Sequence, residues 1–221
     1  MEENLSCITA YNVCEIIFFY IGDNKGNIKS YKIIDGLEVI SIKSVNVTRG
    51  SVALMSTNGK ILCIECMNPN QILIYQIENF TLLKTFDLWS GKVMMKIYNN
   101  ILYTYDDTDL DSIDLENYIS GNIESSYIIE DSWDKTIICC YLSVEYGLLY
   151  IGYHNGLFKI YDLKDNRSFV TVKICDANII RIKRHDGNLI ICTEDHKFSI
   201  YNALTFEYLT TVTTSSDIIS F

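Results

Sequence analysis

The sequence is poor in the residues that build helices. Its 221 residues hold only four alanines and a single proline, Pro69, against 34 isoleucines, 18 asparagines and 16 tyrosines. AT-rich codons would write part of that bias. What survives the discount is a surplus of β-branched and aromatic residues over alanine and leucine, which excludes a helical bundle and favours strands. Long apolar runs are missing too. The longest, Ile16 to Ile21, is far too short to cross a bilayer as a helix. The start, Met1-Glu2-Glu3-Asn4, puts no basic region ahead of an apolar one, so no secretory signal is expected. No G-x-S-x-G, P-loop or G-x-G-x-x-G occurs. The basic pair Lys183-Arg184 is too small for a nucleic-acid footprint. At 48% hydrophobic and 21% charged residues the chain is globular, and it is long enough to bury a core without disulfides or metal.

Eight cysteines are present, at 7, 14, 63, 66, 139, 140, 175 and 192. Without an export signal they read as reduced thiols of a cytoplasmic or nuclear protein, most of them inside apolar strand-like runs. Cys63 and Cys66 have metal-ligand spacing, but three residues along a strand point to opposite faces, so no zinc site is expected. Cys139 and Cys140 straddle a strand in the same way. His154, His185 and His196 fall in predicted turns, where a histidine beside an acid, as His196 is beside Glu194 and Asp195, is more often a turn residue than a general base.

One pattern recurs. The segment from Tyr150 to Leu163 (YIGYHNGLFKIYDL) has a partner from Tyr20 to Ile33 (YIGDNKGNIKSYKI), each an apolar strand, a glycine-containing turn and a strand ending in Tyr-x-aliphatic. The ending returns at Ile74–Ile77, Ser112–Leu115 and Ile200–Ala203. Its second residue falls at 31, 75, 113, 161 and 201, a spacing of about 42 residues, the period of a four-stranded propeller blade. Five units follow, over 6–44, 51–88, 92–129, 136–174 and 178–213, each dividing into four short runs, and 216–221 begins a partial sixth. In the fourth unit the alternation of Phe158 and Ile160 with Lys159 and Tyr161 aims one face at the neighbouring blade.

These units resemble WD40 repeats over nearly the whole chain, taken as a single domain. The resemblance rests on period and pattern. No Gly-His pair precedes a unit, and the Trp-Asp signature is reduced to Tyr161-Asp162 and Ile113-Asp114. The resemblance implies an all-β fold, a β-propeller of about five four-stranded antiparallel blades. Members of the family mostly close with seven blades. Three readings therefore stand side by side: a tight five-bladed ring, an open or incomplete one finished by a partner, and a shortened relic.

The net charge of −10 is confined to one stretch. Residues 1–105 carry nine acids and nine bases, 135–221 again nine and nine, and 106–134 carry ten acids with no lysine or arginine. In a blade, the turn between the second and third strands and the link to the next blade emerge on the same side. That would gather Asp106, Asp107 and Asp109 with Glu130, Asp131 and Asp134 on one rim beside Trp133. Such a rim attracts a basic protein segment and repels nucleic-acid phosphates. The alternative is a solvated pair of loops. Asp107-x-Asp109-x-Asp111 starts like a calcium loop, but Ser112 replaces its glycine and Tyr118 its last glutamate. No cofactor or metal is expected. The sequence thus points to a non-catalytic protein–protein interaction scaffold within a larger eukaryotic-type complex. The alternatives are an incomplete propeller completed by strands of a coat or nuclear-pore-like scaffold, and a propeller-fold hydrolase, which would need a buried carboxylate or histidine near the channel.

Overall fold

The computed structural model describes residues 4–34, 38–88, 91–92, 94–106, 110–122, 125–127, 136–143, 145–165 and 167–215. They form five four-stranded antiparallel sheets, each a simple meander. Blade 1 is β1 (Leu5–Val13), β2 (Ile16–Asp23), β3 (Asn27–Ile34) and β4 (Glu38–Asn46). Blade 2 is β5 (Ser51–Thr57), β6 (Ile61–Met67), β7 (Gln71–Gln76) and β8 (Thr81–Asp87). Blade 3 is β9 (Met94–Tyr98), β10 (Ile101–Tyr105), β11 (Leu110–Asp114) and β12 (Ser125–Tyr127), with helix α1 (Leu115–Ser120) between the last two. Blade 4 is β13 (Ile137–Ser143), β14 (Leu148–Tyr153), β15 (Leu157–Asp162) and β16 (Arg167–Lys173). Blade 5 is β17 (Ile179–His185), β18 (Asn188–Thr193), β19 (Lys197–Asn202) and β20 (Tyr208–Thr213). Blades 1 to 3 make one compact unit and blades 4 and 5 another. The partial sixth unit at 216–221 lies outside the described residues.

The period of two along each strand sorts side chains between neighbouring blades. In blade 2, Ile64, Leu73 and Tyr75 pack with Tyr20 and Ile28 of blade 1, whereas Cys63, Ile72 and Ile74 pack with Met95, Ile97 and Leu102 of blade 3. Cys63 and Cys66 therefore belong to different cores, as the strand geometry requires. In the second unit Phe158 and Ile160 are buried against Ile179, Ile182 and Leu189 of blade 5.

Blades 1 and 4 are built alike. Cys7 pairs with Gly22 and Cys139 with Gly152, each beside a register irregularity in the inner strand. Both glycines admit the inner strand of the following blade. A methyl on Gly22 would stand 2.6 Å from Val52 Cγ1, and one on Gly152 2.5 Å from Ile179 Cγ2.

Blade 3 departs from the expected pattern. Its third strand stops at Asp114 rather than Leu115, and a six-residue helix follows. Asp114 caps it, its carboxylate accepting from Asn117 N at 3.0 Å, and Gly121 ends it in the left-handed conformation at φ 90°. The helix docks on blade 2, where the Tyr118 hydroxyl donates to Thr85 O at 2.9 Å and the ring meets Phe86 edge-on at 5.7 Å. Of the outer strand expected over 123–129, the described residues are Ser125–Tyr127, and these form β12.

Candidate functional site

The expected acidic rim enters the described structure at Asp106, directly after β10. Tyr103, Thr104 and Tyr105 are buried, so the chain leaves the strand from within the core. There Asp106 meets Lys92, which precedes β9. Lys92 Nζ lies 2.9 Å from Asp106 Oδ2 and 3.0 Å from Asp111 Oδ2, Asp111 being the second residue of β11. The lysine side chain is 7% exposed and that of Asp106 13%. Burial alone would depress the Lys92 pKa, but the hydrogen bonds and charges of Asp106 and Asp111 outweigh it, and the ammonium is held above its ordinary range.

A third carboxylate completes the cluster from the neighbouring blade. Glu65 of β6, 1% exposed, accepts the backbone N–H of Lys92 at 2.6 Å through Oε1. Its Oε2 is buried with no hydrogen-bond partner among the described residues. Burial pushes the Glu65 pKa up, and the Lys92 hydrogen bond and charge offset this only in part. One lysine thus ties β6 of blade 2 to β10 and β11 of blade 3, through its backbone on one side and its ammonium on the other.

The chemistry open to this cluster is limited by its neighbours. The thiols that feel the Glu65 charge are Cys66 and Cys7. Burial raises both, Cys66 to about 11, so they stay protonated and un-nucleophilic at neutral pH. The arrangement holds blades together and supplies no activated nucleophile.

Of the residues expected on the rim, Asp106 is paired inward to Lys92, whereas Asp107, Asp109, Glu130, Asp131, Trp133 and Asp134 lie outside the described residues. Among the other acids of the run, Asp111 joins the Lys92 cluster, Asp114 caps α1, and Glu116 is exposed. No group of three or more potential metal ligands occurs among the described residues. His154 lies in a 3-10 turn and His196 in a turn at φ 62°, while His185 ends β17 rather than lying in a turn. Sequence reasoning missed Glu65 and Lys92. Glu65 is a lone acid in an apolar strand (ILCIECM), and that contrast is the one signal it offered.

No family model matches the chain, and no curated protein matches it by sequence. Solved structures do match by fold. The computationally designed Ika8 protein aligns with a TM-score of 0.68 at 12% identity, covering 97% of this chain and 63% of its own. Sqt1 of Saccharomyces cerevisiae gives 0.66 at 14% identity, with 95% and 62% covered. The β-propeller domain of Cps50 (Swd1) from Myceliophteria thermophila gives 0.70 at 10% identity, with 91% and 66% covered. Sqt1 and Swd1 are WD40 β-propeller proteins. The chain spans about two thirds of the length of each of the three. Its five sheets are therefore propeller blades. The likeness is one of fold.

Proposed function

We propose that this protein is a non-catalytic interaction platform of a larger cytoplasmic or nuclear assembly, and that its acidic segment receives a basic segment of a protein partner. The observation that carries this reading is the separation of charge. Ten acids and no base fall between 106 and 134, and the rest of the chain is balanced. Three of the ten, Asp106, Asp111 and Asp114, are engaged within the fold. The remaining acids include Asp107, Asp109, Glu130, Asp131 and Asp134, which serve as the binding set, with Trp133 as the apolar anchor among them.

The test replaces Asp107, Asp109, Asp131 and Asp134 with lysine, sparing Asp106, and follows a short lysine-rich peptide by fluorescence anisotropy. Affinity should fall at least tenfold in the variant, and wild-type binding should weaken steeply from about 50 to about 300 mM salt. Binding that ignores both the substitutions and the salt would leave the acidic loops as solvating surface.

A second reading, a propeller completed by strands of a coat or nuclear-pore-like scaffold, draws on β1. Leu5 and Ile8 there are 67% and 66% exposed, an apolar surface suited to a partner strand or sheet.

A further inference from the structure

Blades 1 and 2 enclose a recess of about 240 Å³ beside the turn that joins β7 to β8. Tyr11, Phe18 and Tyr20 of blade 1 form one wall, with Tyr11 stacked on Phe18 at 5.0 Å and on Tyr20 at 6.3 Å. Phe80 forms the other, its ring 4.9 Å from that of Tyr75. Ser30 is buried at the base, its hydroxyl donating to Lys43 O at 3.3 Å. The mouth carries exposed Lys43 and Glu78.

The second unit shows what this place looks like when filled. Ser30 pairs with Lys43, and Ile160 with Val170, each pair followed by the same register irregularity, before Tyr31 and before Tyr161. The turn residues correspond as well. Phe80 and Phe206 both adopt the left-handed conformation, at φ 57° and 58°, five residues after Tyr75 and Tyr201. In blades 4 and 5 the base is apolar, with Ile160 buried and Val170 packed against the core. Phe206 lies flat on Phe158, centroids 5.2 Å apart and planes 3° from parallel. In blades 1 and 2 isoleucine is replaced by serine and valine by lysine, and Ile28 occupies the position of Phe158. Phe80 thus keeps Tyr75, but the ring that faces Phe206 is replaced at the corresponding place by the smaller Ile28. Lys43 Nζ instead stands 5.3 Å over the Phe80 ring.

From this contrast we infer that the recess is a receptor for one aromatic side chain, phenylalanine or tyrosine, presented by a protein partner. The ring enters above the Ser30 base and stacks on the face of Phe80 that Lys43 now covers. The volume suits a single ring and is too small for a drug-sized ligand, since an apolar cavity of roughly 150 Å³ already accepts benzene. Stacking on Phe80 requires Lys43 to swing outward to water, which its long exposed chain permits. That the ring comes from a protein rests on the interaction-platform reading; the recess itself does not.

The experiment titrates the full chain with N-acetyl-tyrosine amide, followed by methyl NMR at Ile42 and Ile77, both of which line the recess. N-acetyl-alanine amide is the control. The tyrosine amide should shift those methyls and the alanine amide should not. The double substitution Ser30→Ile, Lys43→Val, which rebuilds the second unit's packing, should weaken binding at least tenfold. Phe80→Ala, the second variant, should do the same by removing the stacking face. Absence of a shift at Ile42 and Ile77, or binding that survives both variants, would overturn the proposal. So would binding of p-cresol with exclusion of the blocked amino acid, which would make the recess a small-molecule site. The probe is uncharged, so its failure leaves peptide binding at the acidic segment unaffected, and the converse holds too.

Discussion

Glu65 is the residue most out of place. A carboxyl with one oxygen bonded to Lys92 N and the other without a partner among the described residues is pushed by burial toward its protonated form. Its pKa is raised on folding, so the folded chain holds this proton to higher pH than the unfolded chain does. Between the ordinary glutamate range and the raised value, stability therefore falls as pH rises; below that range the contribution is fully present. Glu65→Gln keeps the oxygen that accepts from Lys92 and removes the titration. Thermal melts should show the variant gaining stability relative to wild type as pH rises from about 4 to about 8. A wild-type advantage that grows over that range would mean that the carboxylate is charged and paired. The glutamate was visible in the sequence as a polar letter in an apolar strand. Its partner was not, because Lys92 lies 27 residues away and reaches it through a backbone N–H.

At the scale of the element, the blades are spaced by what their second strands lack. Gly22 and Gly152 stand where any side chain would collide with the branched residue of the next inner strand, Val52 or Ile179. Gly152→Ala should cost about 1–3 kcal/mol by overpacking. Pairing it with Ile179→Ala, which removes the opposing Cγ2, should cost less than the sum of the two single changes. Additive losses in denaturant melts would show that the strands part freely there. Strand positions and turns were legible because the Tyr-x-aliphatic ending recurs at blade spacing and the period of two holds through each run. Helix α1 was not. Six residues are too few to show a 3.6 period, and Asp114, its cap, also completes the strand ending shared by the other blades. The recess between blades 1 and 2 was equally hidden. Ser30 and Lys43 read as ordinary strand residues until the register sets them against Ile160 and Val170.

At the scale of the whole chain, the proposed binding role of the acidic segment has to be separated from the part that three of its acids play in the fold. Asp106 and Asp111 neutralise a buried lysine, and Asp114 starts a helix that docks on blade 2, so these acids belong to the fold. Charge count alone gave no means of telling them from Asp107 or Asp109, since the base they answer, Lys92, precedes the acidic run by 14 residues. Stability and binding should therefore separate. Asp106→Lys would set a second cation beside Lys92 in a nearly dry site and should destabilise the chain by more than about 2 kcal/mol, with a matching loss in thermal midpoint. On the binding reading, Asp107→Lys and Asp131→Lys together should leave stability within about 0.5 kcal/mol of wild type while weakening binding of the lysine-rich peptide. If Asp106→Lys melted like wild type, Lys92 would be held by Asp111 alone and Asp106 would return to the binding set. If Asp107→Lys and Asp131→Lys lowered the midpoint as far as Asp106→Lys does, the whole segment would be structural and its charge would be spent inside the fold.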